Sequence, residues 1–123
     1  PRVHLLEPLP YPEWANLMAR AYLVVTDSGG LQEEAPALGR PVVLLRDTTE
    51  RPEALVAGTV RQVGTSVEQI VETITRLVRD GEEYARMARA VNPFGDGRAA
   101  KRIVGAVAYH YGLTMEPPEE FAL

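Results

Sequence analysis

Three small residues in a row, Ser28, Gly29 and Gly30, stand where an apolar run gives way to a helical pattern. Glycines at a strand-to-helix turn let a ligand approach the backbone without interference from a Cβ atom, and a serine adds a hydroxyl donor. A helix N-terminus carries unpaired N–H groups and about half a positive charge. This Ser-Gly-Gly turn (Ser28, Gly29 and Gly30) therefore suits a phosphate or pyrophosphate.

A purely structural explanation of the same turn is open from the sequence. Asp27 or Ser28 would cap the helix that follows, and the two glycines would only make the turn tight. The pattern is neither a Walker motif nor the G-x-G-x-x-G of dinucleotide-binding folds. Spacing alone therefore does not choose between capping and phosphate binding.

Two adjacent carboxylates, Glu33 and Glu34, follow in the first turns of the predicted helix. Acid near a helix N-terminus offsets the helix dipole, which requires no ligand. The functional alternative is a carboxylate that accepts hydrogen bonds from the 2′- and 3′-hydroxyls of a ribose. Because neighbouring residues on a helix point about 100° apart, only one of the two can face such a ligand.

A second polar segment, residues 46–51, follows another apolar run. Arg46 or Arg51 would meet a phosphate there, and Thr48 and Thr49 would donate to it or to a sugar. The alternative is a surface loop whose internal ion pairs contribute little. The density of polar groups directly after a buried run favours a site.

The elements that must position these segments alternate along the chain. The predicted strands are residues 3–6, 22–26, 42–45 and 59–64. Six helical patterns lie between and after these strands. The first carries Trp14, the second begins at the Ser-Gly-Gly turn, the third begins at Pro52, the fourth runs from Ser66 to an end at Gly81, and the fifth carries Tyr84. The sixth has an apolar face formed by Ala100, Ile103, Val104, Val107, Ala108 and Tyr111. Such an alternation predicts a parallel sheet covered on both faces, and an open sheet of this kind binds ligands outside the carboxyl ends of its strands.

The composition is that of an ordinary soluble domain of 123 residues, with 46% apolar and 24% charged residues. A net charge of −4 argues against nucleic acid as the main partner. With no cysteine, and with His4 and His110 as the only histidines, no metal is expected. No apolar run reaches the roughly 18 residues of a membrane span and no signal peptide opens the chain, so we expect no membrane contact and a cytoplasmic location. The start at Pro1 without Met indicates a piece of a longer protein.

Four stretches together resemble the non-hydrolysing bacterial UDP-N-acetylglucosamine 2-epimerases: residues 7–18, 24–54, 58–65 and 92–99. The run DSGG-x-QEEAP followed by RD-TTERPEA is highly specific to that family. The resemblance implies an α/β, Rossmann-like three-layer parallel sheet in the C-terminal domain of a GT-B-like two-domain architecture. Residues 1–111 would be a partial UDP-binding domain, and residues 112–123 a C-terminal tail that we expect to be frayed.

The resemblance also implies a role for each candidate residue. Ser28, Gly29 and Gly30 would bind the UDP phosphates, Glu34 would bind the ribose, and Trp14 would contact the uracil. The loop of Thr49, Glu50 and Arg51 would lie on the sugar side of the cleft. From its position on an apolar helical face, Trp14 is predicted to pack in the core instead. The carboxylates and the histidine that perform the chemistry lie in parts of the family that this chain lacks, so no catalytic residue is expected here. No cofactor is implied.

The implied activity is inversion at C2 of UDP-GlcNAc to give UDP-ManNAc, by elimination of UDP and its re-addition, within cell-envelope polysaccharide biosynthesis. The implied partners are UDP-GlcNAc or UDP, the N-terminal domain of the same protein, and a second copy in a homodimer. Two alternatives remain open from the sequence. One is the donor-binding domain of a GT-B-type glycosyltransferase, and the other is a non-catalytic nucleotide-binding module.

Overall fold

A computed structural model of the chain describes residues 2–122. Its elements, in chain order, are α1 Tyr11–Arg20, β1 Val24–Thr26, α2 Leu31–Ala37, β2 Val42–Leu44, α3 Pro52–Ala57, β3 Val60–Gln62, α4 Val67–Arg79, α5 Gly81–Arg89 and α6 Ala99–His110. The strands form one parallel sheet in the order β1-β2-β3, with Val25 opposite Val43 and Val43 opposite Arg61. Because all strands run the same way, the loops after β1 and β2 leave the sheet at one edge.

Helices cover both faces of this sheet, as predicted. The central strand β2 is buried along its whole length, and its side chains alternate between the two faces. Val42 and Leu44 pack with residues of α1, α2 and α3, whereas Val43 packs with residues of α4 and α5. The predicted Rossmann-like α/β class with a three-layer parallel sheet is therefore confirmed.

Local sequence signals account for several element boundaries. Ser66 accepts a hydrogen bond from the Gln69 N–H at 3.4 Å and so caps α4. Pro52 begins α3, and Gly58 ends it in the left-handed conformation, at φ 82°. Gly39, just beyond α2, has a φ of 67°. The helix starts at Pro52 and Ser66 confirm the sequence predictions.

The prediction that Gly81 ends α4 is wrong, because Gly81 is the first residue of α5. Asp80 separates the two helices. Its carboxylate accepts hydrogen bonds from the backbone N–H groups of Glu82 and Glu83, each at 3.0 Å. An aspartate in this position starts a new helix at once, which the glycine pattern did not indicate.

Two predicted apolar elements lack the burial that their patterns predict. Residues 3–6 form no strand, and Leu5 is 96% exposed, because no described strand lies beside them to take up their backbone hydrogen bonds. α6 forms as predicted, but none of its residues is buried. Ile103 and Val104 on its apolar face are exposed, because no element within residues 2–122 covers that face.

The tail after α6 has neither helix nor strand within the described residues, yet it lies against α6 and is not simply frayed. A Cβ atom at Gly105 would contact Pro118 at 3.5 Å, and the Arg102 guanidinium lies 5.6 Å from the centre of the Phe121 ring. The last residue of the tail, like Pro1, lies outside the described part of the chain. The division of the chain into a domain of residues 1–111 and a tail of residues 112–123 stays a prediction. Within residues 2–122, no helix combines the length and apolar character that crossing a bilayer requires.

Candidate functional site

The two polar segments singled out in the sequence meet at the carboxyl edge of the sheet. The Ser-Gly-Gly turn follows β1, and the Thr-Glu-Arg loop (Thr49, Glu50 and Arg51) follows β2. The Thr49 hydroxyl donates a hydrogen bond to Gln32 Oε1 at 2.7 Å, and Gln32 Nε2 donates to the Ser28 carbonyl oxygen at 3.3 Å. Segments about twenty residues apart in sequence thus form one candidate site.

The end of α2 at this site carries no side-chain cap. The residue preceding the helix is Gly30, which has no side chain that could accept a bond from an N–H group of the first turn. The Ser28 N–H donates instead to the Thr26 hydroxyl at 3.0 Å. The structural explanation in which Asp27 or Ser28 caps α2 is therefore wrong, and the capping position holds no hydroxyl or carboxylate of the chain.

Neither the backbone conformation nor the surrounding atoms require residue 30 to be a glycine. Its φ of −63° and ψ of −38° are helical values that any residue adopts. A Cβ atom added there would lie 3.7 Å from Glu34 Oε1 and 4.0 Å from Ser28 Oγ, which are ordinary contact distances. At Gly29, by contrast, an added Cβ would collide with the Glu50 carboxylate, a flexible group that can move away. Neither the backbone conformation nor the local packing therefore explains why residue 30 is a glycine.

The neighbouring acids of α2 diverge, as expected. Glu33 accepts a hydrogen bond from Arg51 Nε, and Glu34 Oε2 accepts one from the Tyr11 hydroxyl at 3.0 Å. The bond to Glu34 raises the pKa of the Tyr11 phenol. Glu34 Oε1 lies beside Gly30. Of the two acids, Glu34 is therefore the one that borders the Ser-Gly-Gly turn.

Two arginines border the site, each paired with an acid. Arg46 Nη1 donates to Glu50 Oε2 at 2.7 Å, and Arg51 pairs with Glu33. The pKa of the Glu50 carboxyl is lowered by a hydrogen bond from its own backbone N–H and, to a smaller extent, by Arg46. All four side chains are about a third or more exposed, so these pairs contribute little to stability. A phosphate can replace the carboxylates as the partner of both guanidinium groups.

Trp14 lies on α1, one turn beyond Tyr11 and on the same side of the helix. Its side chain is half-buried. The contact between Tyr11 and Glu34 brings the first turn of α1 beside α2. Trp14 is not part of either buried core cluster, so the predicted core packing is at most partial, and the uracil contact stays a prediction.

Two residues with contacts in the site escaped the sequence analysis, Gln32 and Tyr11. Gln32 is 0% exposed and shares the buried side of α2 with Ala35 and Pro36. An amide on a buried stripe is a usable signal, because a buried polar group needs hydrogen-bond partners. Tyr11 offered no such signal, since its bond to Glu34 spans 23 positions and depends on how α1 packs.

No group of three or more His, Asp or Glu side chains with metal-binding geometry occurs among residues 2–122. The polar groups at the carboxyl edge are a hydroxyl, backbone amides, carboxylates and guanidinium groups. Together they suit an organic phosphate that also carries hydroxyl groups.

The fold and the position of the site are those of α/β domains that bind nucleotides at the carboxyl ends of parallel strands. Residues 1–108 match the family described as UDP-N-acetylglucosamine 2-epimerase. The chain belongs to this family, and the resemblance seen in its motifs is confirmed.

Three relatives illustrate the match. The chain is 50% identical over 120 residues to the UDP-N-acetylglucosamine 2-epimerase of Bacillus subtilis, covering 98% of this chain and 32% of that protein. A Neisseria meningitidis UDP-GlcNAc 2-epimerase structure with bound UDP-GlcNAc is 50% identical, with a TM-score of 0.82, covering 85% of this chain and 28% of that one. A co-structure of S. aureus MnaA with UDP is 41% identical, with a TM-score of 0.86, covering 98% of this chain and 33% of that one. The chain thus spans about a third of the length of the relatives it matches.

Proposed function

We propose that this chain is the UDP-binding part of a UDP-N-acetylglucosamine 2-epimerase, within the C-terminal domain of a GT-B-like two-domain protein. The observation that carries the proposal is the junction of the Ser-Gly-Gly turn with the Thr-Glu-Arg loop at one sheet edge, in a chain of this family. Relatives solved with UDP-GlcNAc or UDP support the choice of ligand. In this proposal, residues 1–111 form a partial UDP-binding domain and residues 112–123 its tail.

The proposed reaction interconverts UDP-GlcNAc and UDP-ManNAc. Removal of the C2 proton and cleavage of the bond between C1 and the phosphate oxygen release UDP and leave a 2-acetamidoglucal. Re-addition of UDP at C1, with a proton delivered to the opposite face of C2, gives the epimer. The groups that move these protons belong to the rest of the protein, and the part of this chain is to hold UDP.

Each proposed role follows from the chemistry of the residue concerned. The Ser28 hydroxyl and the backbone amides at Gly29 and Gly30 bind the diphosphate, whose negative charge grows as the C1–O bond breaks. Glu34, beside Gly30, accepts from the ribose hydroxyls. Trp14 contacts the uracil.

The Thr-Glu-Arg loop lies towards the sugar in the same proposal. Arg51 exchanges its bond with Glu33 for the leaving phosphate, because both side chains are partly exposed and a bidentate guanidinium–phosphate pair is the stronger interaction. The Glu50 carboxylate lies beside Gly29. It moves away as the phosphate arrives at Gly29, since two anions in contact repel each other.

The proposal extends to the whole protein. It has a second domain that completes the active site, acts as a cytoplasmic homodimer, and supplies UDP-ManNAc for cell-envelope polysaccharides. The match to about a third of each relative's length supports the second domain.

The test is to incubate the whole protein that contains this chain with UDP-GlcNAc in D₂O and to follow the mixture by proton NMR. UDP-ManNAc should form without an acceptor, and deuterium should appear at C2, because the proton that is removed is replaced from solvent. UDP release that requires an acceptor would show a transferase and contradict the proposal. Absence of both reactions, with UDP still bound, would instead show a non-catalytic module.

A further inference from the structure

Gln32 connects the two halves of the candidate site through a buried amide. Its Nε2 donates to the Ser28 carbonyl oxygen, and its Oε1 accepts from the Thr49 hydroxyl. The Thr49 oxygen in turn accepts from the Arg51 backbone N–H at 3.0 Å. One chain of hydrogen bonds therefore runs from the Ser-Gly-Gly turn to the backbone of Arg51.

The direction of these bonds follows from the groups at the two ends. The Ser28 carbonyl oxygen can only accept, so it must face the NH₂ of Gln32, and Gln32 Oε1 must then face Thr49. The Thr49 hydroxyl has one proton to donate, and it goes to that oxygen, while a lone pair takes the Arg51 N–H. Every polar atom in the series has a suitable partner, and rotating the amide by 180° would set two oxygens against each other.

Burial of Gln32 makes the loss of either of its hydrogen-bond partners costly. Gln32 is fully buried, so no water replaces a missing partner at low cost. The ion pair between Arg51 and Glu33, which also joins the two sides of the site, is by contrast partly exposed and free to exchange. The Gln32–Thr49 bond joins the two segments from a fully buried amide to a half-buried hydroxyl.

We propose that Gln32 and Thr49 are positioning residues that set the separation between the Ser-Gly-Gly turn and Arg51, and so tune the site for a diphosphate. Neither side chain is assigned a contact with the ligand in this role. The inference rests on the proposed function for the identity of the ligand, but the connection between the two segments exists without it. Loss of the Thr49 hydroxyl should therefore affect residues 28–30, across the site.

The test uses Thr49→Val, which keeps the shape but removes the hydroxyl, and Thr49→Ser, which restores it. UDP affinity is measured by calorimetry on the whole protein, and hydrogen exchange at residues 26–31 is measured without ligand. We expect Thr49→Val to weaken UDP binding by about tenfold, the loss expected when a buried amide loses one of its partners. Exchange at residues 26–31 should become faster, and Thr49→Ser should recover both values to within about twofold.

A double-mutant cycle with Gln32→Met completes the test. If the two side chains act through their mutual bond, Thr49→Val should add little to the loss of UDP affinity that Gln32→Met already causes, because Gln32→Met removes that bond together with the one to Ser28. Additive losses, or unchanged affinity and exchange in Thr49→Val, would overturn the inference. Should Gln32→Met fail to fold, the Val and Ser variants at Thr49 still decide.

Failure of the proposed function gives a different result. In that case the wild-type protein binds no UDP, whereas faster exchange at residues 26–31 in Thr49→Val still supports the structural connection. Wild-type UDP binding together with identical exchange and affinity in Thr49→Val contradicts the positioning role alone.

Discussion

The turn before α2 and the turn after α3 both contain a glycine, but their backbones differ. Gly58 has a φ of 82° and open space around the position of a Cβ atom, so its glycine is explained by backbone conformation alone. Gly30 has a φ of −63°, and a side chain there would meet only ordinary contacts. The fold accounts for the glycine at position 58 but not for the one at position 30, where the proposed function places the diphosphate.

If the proposed function holds, this contrast separates a glycine that serves the fold, Gly58, from one that serves the ligand, Gly30. Substitution at Gly58 should change the free energy of unfolding and leave ligand affinity alone, and substitution at Gly30 should do the reverse. Substitutions at four positions test that separation.

The largest effect is expected from Gly30→Ala. The new methyl group would occupy space that the proposed diphosphate needs, and loss of charge-assisted hydrogen bonds should weaken UDP binding by about thirtyfold. The helical φ and ψ suit alanine, so the free energy of unfolding should change by less than about 0.5 kcal/mol. Calorimetric titration and urea unfolding measure the two quantities. Unaltered UDP affinity would mean that nothing approaches Gly30.

Glu34→Ala should come next, with a loss of UDP affinity of about tenfold, because the carboxylate proposed to accept from the ribose hydroxyls is removed. The matched control is Glu72→Ala, which removes an exposed acid from α4 on the opposite face of the sheet. Titration with UDP and with inorganic diphosphate sharpens the assignment, since only UDP carries the ribose. Equal affinities for UDP in the two variants would remove Glu34 from the ribose site.

Gly58→Ala is expected to lower the free energy of unfolding by about 1–2 kcal/mol, because a Cβ atom is unfavourable in the left-handed conformation. The affinity of the folded variant for UDP should match that of wild type, since α3 is only indirectly connected to the Ser-Gly-Gly turn. Urea unfolding gives the first value and titration the second. A variant with full stability would show that the turn relaxes to another conformation.

The smallest effect concerns an ion pair that serves the fold. Arg102 donates two hydrogen bonds to Asp96, at 2.7 and 2.9 Å. These bonds have the largest effect in holding the pKa of the Asp96 carboxyl far below its ordinary value, and a bond from the Arg98 N–H has the next largest. A lowered pKa in the folded state stabilises the protein above the unfolded-state pKa of about 3.9, and that contribution is lost as the pH falls through the folded-state pKa. Asp96→Asn should therefore be slightly less stable than wild type near pH 6.

Urea unfolding at a series of pH values checks this expectation. The difference in the free energy of unfolding between wild type and Asp96→Asn should shrink as the pH falls below about 4. A difference that stays constant down to pH 2 would mean that the Asp96 charge does not stabilise the fold. UDP affinity at neutral pH should be the same in both proteins.

The predicted elements differ in how well they match the structure, for a physical reason. The signals at Ser66 and Pro52 act on the few residues around them, so their effect on helix boundaries could be recognised locally. The apolar faces of residues 3–6 and of α6 indicate a capacity for burial, but burial needs a partner surface. Within residues 2–122 that partner is absent, and both faces are exposed.

The site shows the same division. The motif around Ser28 and Gly30 and the motif around Arg51 were sufficient to identify the family and the candidate residues, because each motif is a short run of neighbouring residues. The exclusion of a cap on α2, and the pairing of Glu33 with Arg51 and of Glu34 with Tyr11, depend on side-chain directions that no local pattern encodes.

By itself, the sequence determined the family, the α/β class and the two candidate loops, because these depend on short motifs and on the periodicity of apolar residues. Only the tertiary structure showed that Gln32 joins the two loops and that Gly30 has no structural reason to be glycine. Both conclusions require distances between segments that are remote in the chain. Those distances are decided by how β1 and β2 pair and how the helices pack over them.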